Sequence, residues 1–415
     1  MDGGPGGGIG SPGRARPTLR TVLVALCVTE IVSWGVLYYA FPVLAPRISD
    51  ETGWSTQSIM AAFSAALVVA AVVGVPVGRM LDRRGPRLPM TAGSVLSAGA
   101  LVLIALAPSL PLFALGWMLA GVAMAGVLYP PAFAALTRWY GPRRLTALTA
   151  VTLVAGLAST VFAPLTEALA GQLGWRQVYL VLAGGLAVVT IPLHAVALRR
   201  PWPSEAHQHS DRADTDGGYA RAVTRSRPFL FLVAGMTVGA LAIFAALINL
   251  VPLITERGLS SGVAALALGV GGVGQVAGRL GYGALTRHLS VRARTLVIYG
   301  LVAVTTAAFA TVPGQAFWFL AVAVGAGVAR GIATLLQATA VTDRWGPRAY
   351  GRLSGVLTAP IMLATALAPW VGATVAGLLG GYAAMYLVLA AIAVAAVLML
   401  AASVPKEAVL RRRTL

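Results

Sequence analysis

Three ionisable side chains, Glu30, Arg279 and Arg330, interrupt long apolar stretches of this 415-residue chain. A charge facing hydrocarbon at mid-depth costs at least about 2.5–3.5 kcal/mol, so each must face a cavity or another polar group. A guanidinium stays charged when desolvated, and its planar fork grips a carboxylate through two parallel hydrogen bonds. A carboxyl group removed from water favours its neutral form, which suits Glu30 to carrying a proton. Each group stands on a polar stripe: Arg330 is followed by Thr334 and Gln337, Arg279 is flanked by Gln275 and Tyr282, and Glu30 by Trp34 and Tyr38. A period of three to four marks one face of a helix. At ~1.5 Å per residue, Arg330 lies roughly 20 Å from either end of its apolar segment, Glu30 about 15 Å in, and Arg279 about 12 Å from Arg287. The candidate binding set is therefore Arg330, Arg279, Gln337, Tyr38, Trp34, Asn249 and Tyr129, with Glu30 as the candidate proton carrier. Structural readings stand beside it: the aromatics as interhelical packing, Arg330 in an ion pair with Glu30 or Glu167, and Arg279 snorkelling toward an interface.

The segments that must hold these groups are membrane spans. Hydrophobic residues make up 58 % of the chain and charged ones 11 %, more apolar surface than a water-soluble fold can bury. Windows of about 20 apolar residues place helices near 21–46, 56–80, 88–107, 111–136, 145–170 and 176–198, and again near 228–255, 260–287, 293–312, 315–341, 350–375 and 382–403. The fold class is an all-α membrane protein of twelve helices in two pseudo-symmetric six-helix halves. Arginines crowd alternate loops, including Arg79 to Arg87, Arg138 to Arg144, Arg199 to Arg227, Arg287 to Arg294, Arg344 to Arg352 and Arg411 to Arg413, whereas the opposite loops hold Arg47, Arg176 and Arg257. The positive-inside rule then puts both termini in the cytoplasm and the chain in the inner (plasma) membrane. The expected organisation is a disordered tail at 1–20, a first half at 21–198, a polar linker at 199–227, a second half at 228–403 and a basic tail at 404–415. Trp139-Tyr140-Gly141-Pro142-Arg143 recurs as Trp345-Gly346-Pro347-Arg348, and Leu173-Gly174-Trp175-Arg176 as Leu379-Gly380-Gly381-Tyr382, each about 206 residues later, as gene duplication would leave them.

The net charge of +18 is spread over short loops that suit anionic lipid headgroups, so nucleic acid is not expected as a partner. The lone cysteine, Cys27, gives neither a disulfide nor a cysteine metal site, and His207-x-His209 reads as solvated linker. Lys406, the only lysine, lies in the tail; with no Walker lysine, H-E-x-x-H or G-x-S-x-G string, an enzyme is not expected.

Between the second and third spans stands Gly78-Arg79-Met80-Leu81-Asp82-Arg83-Arg84-Gly85-Pro86-Arg87. Gly78 allows close helix contact at the membrane edge, Asp82 can accept hydrogen bonds or pair with arginine, and the cations face lipid. The segment resembles the signature loop of the major facilitator superfamily, with Met80 in place of leucine and Pro86 in place of the second arginine. The resemblance covers essentially the whole chain and implies gating roles for Gly78, Asp82, Arg83, Gly85 and Arg87. The second-half loop, Gly283-Ala284-Leu285-Thr286-Arg287, has lost its acid, so a gate there should be weaker.

Gly53-Trp54-Ser55, Arg138-Trp139-Tyr140 with Arg143-Arg144, and Gly174-Trp175-Arg176 are similar to the monocarboxylate and oxalate/formate transporter branch. That likeness implies a substrate-binding role for Arg279. The chain departs from the branch at Gln275, where some relatives carry aspartate, and in the eleventh span, which lacks the oxalate transporter's lysine. The expectation is a secondary transporter working by alternating access, with spans 1, 4, 7, 8 and 10 around a central site. The expected cargo is a small organic anion, monocarboxylate-like, with H+ as the candidate coupling ion, moved by a functional monomer with no cofactor beyond an ion gradient. Two alternatives remain open: an exporter of a drug or natural product, although Gly156 to Pro164 is poor in glycine for the drug/proton antiporter motif, and a non-transporting membrane receptor.

Overall fold

The computed structural model describes residues 18–202, 213–346 and 349–405. The tail before Thr18, the His207-x-His209 pair, the Pro347-Arg348 part of the repeat, Lys406 and Arg411 to Arg413 lie outside the described residues. Among the described residues, twelve helices are long and apolar enough to cross a membrane. They are α1 (Leu19–Thr52), α2 (Thr56–Arg84), α3 (Arg87–Leu106), α4 (Leu110–Arg143), α5 (Thr146–Ala170) and α6 (Trp175–Ala197) in the first half. The second half holds α7 (Arg227–Ile248), α8 (Ser261–His288), α9 (Val291–Thr311), α10 (Ala316–Trp345), α11 (Tyr350–Leu379) and α12 (Tyr382–Ala401). Outward-facing Val188, Leu378 and Leu398 are 76 %, 79 % and 68 % exposed, an apolar rind that only lipid can cover. Serine hydroxyls start several helices: Ser55, Ser226, Ser260 and Ser290 each accept an N–H of the first turn.

Three spans are not regular helices; the simplest case is α5, which breaks at Leu157 between Arg144–Gly156 and Ala158–Ala170. Residues Gly35–Tyr39 of α1 form a π-helical turn, a widening that recurs at functional sites. The stretch expected as one helix at 111–136 is instead Leu110–Val127 followed by Tyr129–Tyr140, with Leu128 extended between them. The cause is Pro130-Pro131, which supply no N–H to the preceding turn. Nor is the linker at 199–227 wholly irregular: Ala213–Thr224 is a helix whose Ala220 and Val223 bury against the second half.

Glycine seams bind helices pairwise within each half. A Cβ on Gly327 of α10 would stand 2.0 Å from the Gly271 carbonyl oxygen of α8, and one on Gly331 2.2 Å from that of Gln275. In the first half a Cβ on Gly121 of α4 would stand 2.2 Å from the Ala66 carbonyl oxygen of α2. Gly121 and Gly327 are 206 residues apart, the offset of the repeat, so the duplication is visible as packing. The two halves touch along α2/α11 and α5/α8. Thr160 Oγ1 donates to the Gly269 carbonyl at 2.8 Å, and the Trp370 N–H to Ser64 Oγ at 3.1 Å.

The three arginines that break the charge asymmetry, all on the face opposite the termini, share one task. Arg47 donates to the Ala170 carbonyl at the end of α5 (2.8 Å), Arg176 to Ala107 after α3 (3.3 Å), and Arg257 to Ala310 and Val312 at the end of α9. Helix C-termini carry unpaired carbonyls and a partial negative charge, and these guanidiniums satisfy both. Arg47 also pairs with Glu167 of α5 (2.7 Å), whose Oε1 accepts from Ser261 at the start of α8 (2.5 Å), a contact that crosses between the halves.

Candidate functional site

The irregular turns of α1 and α4 face each other. Trp34, on the last turn before the π segment, has its ring 5.4 Å from Tyr38 and 5.0 Å from Tyr129, the first residue after the α4 break. Glu30 lies one turn below Trp34 and is fully buried. The widened turn closes against α5 at Gly35, where a Cβ would stand 2.1 Å from the Phe162 ring, so only glycine fits.

The second half meets this array with its two arginines. Arg279 of α8 reaches across the halves to donate to the Thr152 carbonyl of α5, over Gly156, where a Cβ would sit 3.0 Å from the guanidinium. It lies beside the Tyr129 hydroxyl. Arg330 of α10, 7 % exposed, faces Tyr38 and donates through Nη2 to Gln275 Oε1 at 3.1 Å. Thus Glu30, Trp34, Tyr38, Tyr129, Arg279 and Arg330 form one cluster at the interface. Gln275 joins them as the residue that sequence reasoning left out of the site; its place one turn before Arg279 was the available signal.

Two expected members stand apart. Asn249 caps the end of α7 with Nδ2 donating to Ala245 (2.9 Å) and pressed against Gly372 of α11. Gln337 is partly buried two turns along α10 from Arg330, which donates to Gln275 instead. No ion pair joins Arg330 to either acid proposed for it: Glu167 is held by Arg47 and Ser261, and Glu30 makes no hydrogen bond among the described residues.

Orphaned polar atoms concentrate here. Both Glu30 oxygens, Trp34 Nε1, Tyr38 OH and the Nε atoms of Arg279 and Arg330 are buried without a hydrogen-bond partner among the described residues. The Trp34 indole adjoins the Glu30 carboxyl without closing a hydrogen bond to it. Buried donors and acceptors are almost always satisfied in a folded protein, which makes this cluster the candidate ligand site.

At the face carrying the termini, the signature loop is clamped within its own half. Arg138 approaches Asp82 Oδ1 at 3.4 Å, and Trp202 Nε1 donates to the Asp82 carbonyl at 3.0 Å. The Trp202 ring covers Gly85, whose φ of 77° favours glycine, and lies 4.6 Å from the Arg138 guanidinium. Arg87 donates to the Ala195 carbonyl of α6 at 2.9 Å, and Arg83 is exposed. The expected close contact at Gly78 is absent: a Cβ there would meet nothing within 4 Å. At the opposite face the two halves are joined by Glu167 and Ser261. The second half is not without an acid either, because Asp343 at the end of α10 pairs with Arg294 of α9. That acid sits on a helix end rather than in the loop.

Twelve helices in two repeated halves around an interfacial site define a membrane transporter fold, and the chain belongs to the Major Facilitator Superfamily, whose family model matches residues 26–369. Among curated proteins it is similar to monocarboxylate transporter 11 of Homo sapiens, 29 % identical over 60 % of this chain and 52 % of that protein. It is also similar to the oxalate:formate antiporter of Oxalobacter formigenes, 24 % identical over 71 % of this chain and 68 % of that one. An uncharacterized 38 kDa protein of Thermoproteus tenax is 33 % identical over 39 % of this chain and 43 % of its own length. The chain thus spans about half the length of the first curated relatives it matches. Among solved structures, the nucleoside transporter NupG (D323A mutant) superposes with a TM-score of 0.73 at 12 % identity, covering 91 % of this chain and 98 % of that one. A bacterial homologue of the lysosomal transporter Spinster gives 0.68 at 18 % identity, covering 97 % and 98 %. At these identities the superpositions speak for the fold alone.

Proposed function

We propose that this protein is a secondary transporter of a small organic anion, monocarboxylate-like and proton-coupled, that works by alternating access with both termini in the cytoplasm. The observation that carries the reading is a pair of arginines without a carboxylate partner, Arg330 buried and Arg279 partly buried, facing aromatic rings and one buried, unpartnered acid across the interface. A solute carboxylate would complete the hydrogen bonding of Arg330 and Arg279, and Glu30 would take the proton that travels with it. The arginine-rich loops support the cytoplasmic placement of the termini, and the three arginines on the other face have a local reason to be there. The named curated relatives include a monocarboxylate transporter and an oxalate:formate antiporter, which supports an anionic substrate class.

The test begins with a thermal-shift screen of the purified protein against monocarboxylates, dicarboxylates and hydrophobic cations. Binding of the best anion is then measured for folded Arg330→Lys, Arg330→Gln and Arg279→Lys. Loss of a charge-assisted hydrogen bond at about 1.5–3 kcal/mol predicts roughly 10- to 150-fold weaker binding for Arg330→Gln, with lysine a poor substitute. Unchanged affinity in all three variants removes the organic-anion reading and favours export of neutral or cationic compounds. Loss only at Arg279 keeps the anion and makes Arg330 structural.

A further inference from the structure

At the face that carries the termini, the last turn of α6 presents a carbonyl that two arginines share. Arg87, the first residue of α3, donates through Nε to the Ala195 oxygen at 2.9 Å, and Arg199, two residues past α6, donates through its own Nε to the same oxygen at 3.1 Å. The two Nε atoms are thus held within about 6 Å of each other. At the opposite face each helix end is served by one guanidinium, Arg47 for α5, Arg176 for α3 and Arg257 for α9. One donor suffices for a helix-end carbonyl there, so the second arginine on Ala195 needs another reason. Like charges this close repel, and among the described residues no carboxylate pairs with either. Both side chains are exposed, and neither makes a further hydrogen bond among the described residues, which leaves both sets of Nη donors for a ligand.

The flanks of this pair are apolar. Leu88, Val95, Val102 and Leu106 are exposed along one stripe of α3 that starts beside Arg87, and Val188 and Val196 are exposed on α6. Ser94 and His194, hydrogen-bonded at 2.8 Å, lock the two helices together two turns in from Arg87. Two cations without a counter-charge, set at the membrane edge beside a lipid-facing apolar stripe, suit an anion with a hydrocarbon body. We propose that Arg87 and Arg199 form the headgroup site of one anionic phospholipid, whose phosphate oxygens accept from the Nη donors and whose acyl chain lies along α3. Guanidinium forks match phosphate oxygens, and basic pockets between transmembrane helices are where anionic headgroups bind. The site lies outside the interfacial cluster and is independent of which solute is carried. Its position ties it to the signature loop, because Trp202, three residues past Arg199, donates to the Asp82 carbonyl five residues before Arg87. A headgroup bridging Arg87 and Arg199 braces the same two segments.

The experiment is native mass spectrometry of the full chain, delipidated in neutral detergent and titrated with phosphatidylglycerol or, as the zwitterionic comparison, phosphatidylcholine. The wild type should take up one phosphatidylglycerol ahead of all others and show no such step with phosphatidylcholine. Arg199→Gln and Arg87→Gln should each bind that first lipid about 10-fold or more weakly, because each removes charge-assisted hydrogen bonds. Melting temperature checks the folding of both, and one variant remains if the other does not fold. Arg84→Gln takes an equal charge from an exposed position of the same loop and should bind the lipid as the wild type does. Phosphatidylglycerol should also raise the melting temperature of the wild type and leave that of Arg199→Gln unchanged. Equal affinity in the wild type and the glutamine variants overturns the site. An equal loss in Arg84→Gln overturns it too, since the attraction is then the diffuse charge of the loop. Millimolar inorganic phosphate should not displace the lipid; displacement makes the pair a site for free phosphate and ends the lipid assignment.

Discussion

Replacing Gly331 by alanine puts a methyl group where the structure has none to spare. Its Cβ would stand 2.2 Å from the Gln275 carbonyl oxygen, 2.9 Å from the carbonyl carbon and 3.1 Å from Cα, whereas ordinary contact begins at 3.4 Å. All three atoms are helix backbone, so no side chain can swing aside and α8 must part from α10 by about 1 Å. Overpacking of this kind costs about 1–3 kcal/mol, and backbone on both sides places the loss near the upper end. Alanine returns about 1 kcal/mol of helix propensity, which leaves a net destabilisation of about 2 kcal/mol. The displaced residue is also the partner of Arg330, and a 3.1 Å hydrogen bond lengthened by about 1 Å is lost. Gly331→Ala should therefore melt at a lower temperature in detergent and bind its anion more weakly. Gly78→Ala is the matched control, since its Cβ meets nothing within 4 Å and should keep or raise stability. A Gly331→Ala protein with wild-type melting temperature and affinity, or a Gly78→Ala protein that loses as much, would refute the seam as the element that positions Arg330.

Asp82→Asn should slow transport and leave anion affinity within several-fold, because Asp82 is held by Arg138 and Trp202 at the membrane edge, away from the interfacial cluster; loss of equilibrium binding in a folded protein counts against a gating role. Glu30→Gln imitates the protonated side chain at every pH, so uphill accumulation in proteoliposomes should fail and the pH dependence of flux should flatten. Retained accumulation with the wild-type pH profile means the carrier proton lies elsewhere. Cysteines introduced at Gly217 and Thr414 in a Cys27→Ser background should react with a membrane-impermeant maleimide only after the cells are opened; labelling of either in intact cells overturns the cytoplasmic placement.

Much of this architecture is legible in the sequence because lipid imposes a simple code. Uncharged runs of about 20 residues must be helices, and the two arginines within the spans are costly enough to announce themselves. What local pattern does not carry is the partner of each group. Gln275 looks like a departure from relatives until α10 places Arg330 beside it. Gly78 invites a close contact that depends on how far apart the helices' ends stand, whereas Gly35 and Gly331 are forced by neighbours distant in sequence. The break at Leu128 did have a local signal in Pro130-Pro131, yet hydropathy alone runs straight through it. The π turn at Gly35 has no comparable signature. Asp343 went unnoticed because its role was sought in the loop, and the pairing with Arg294 depends on how the ends of α9 and α10 meet.

The glycines of α8 fall on two faces, and this assigns the two arginines different lives. Gly271, Gly274 and Gly278 lie against α10 backbone of the same half, while Gly269 and Gly272 lie against Thr160, Ser159 and Pro164 of α5 in the other. If the halves rock as rigid bodies, Arg330 and Gln275 travel together and keep their separation throughout a cycle, whereas Arg279 must release the Thr152 carbonyl whenever α5 and α8 part. Arg330 is then a stationary anchor and Arg279 a commuter whose bond is made and broken once per turnover. A spectroscopic label pair across α5 and α8 near these residues would report the cycle as a change in distance, and a pair across α8 and α10 would serve as its fixed ruler.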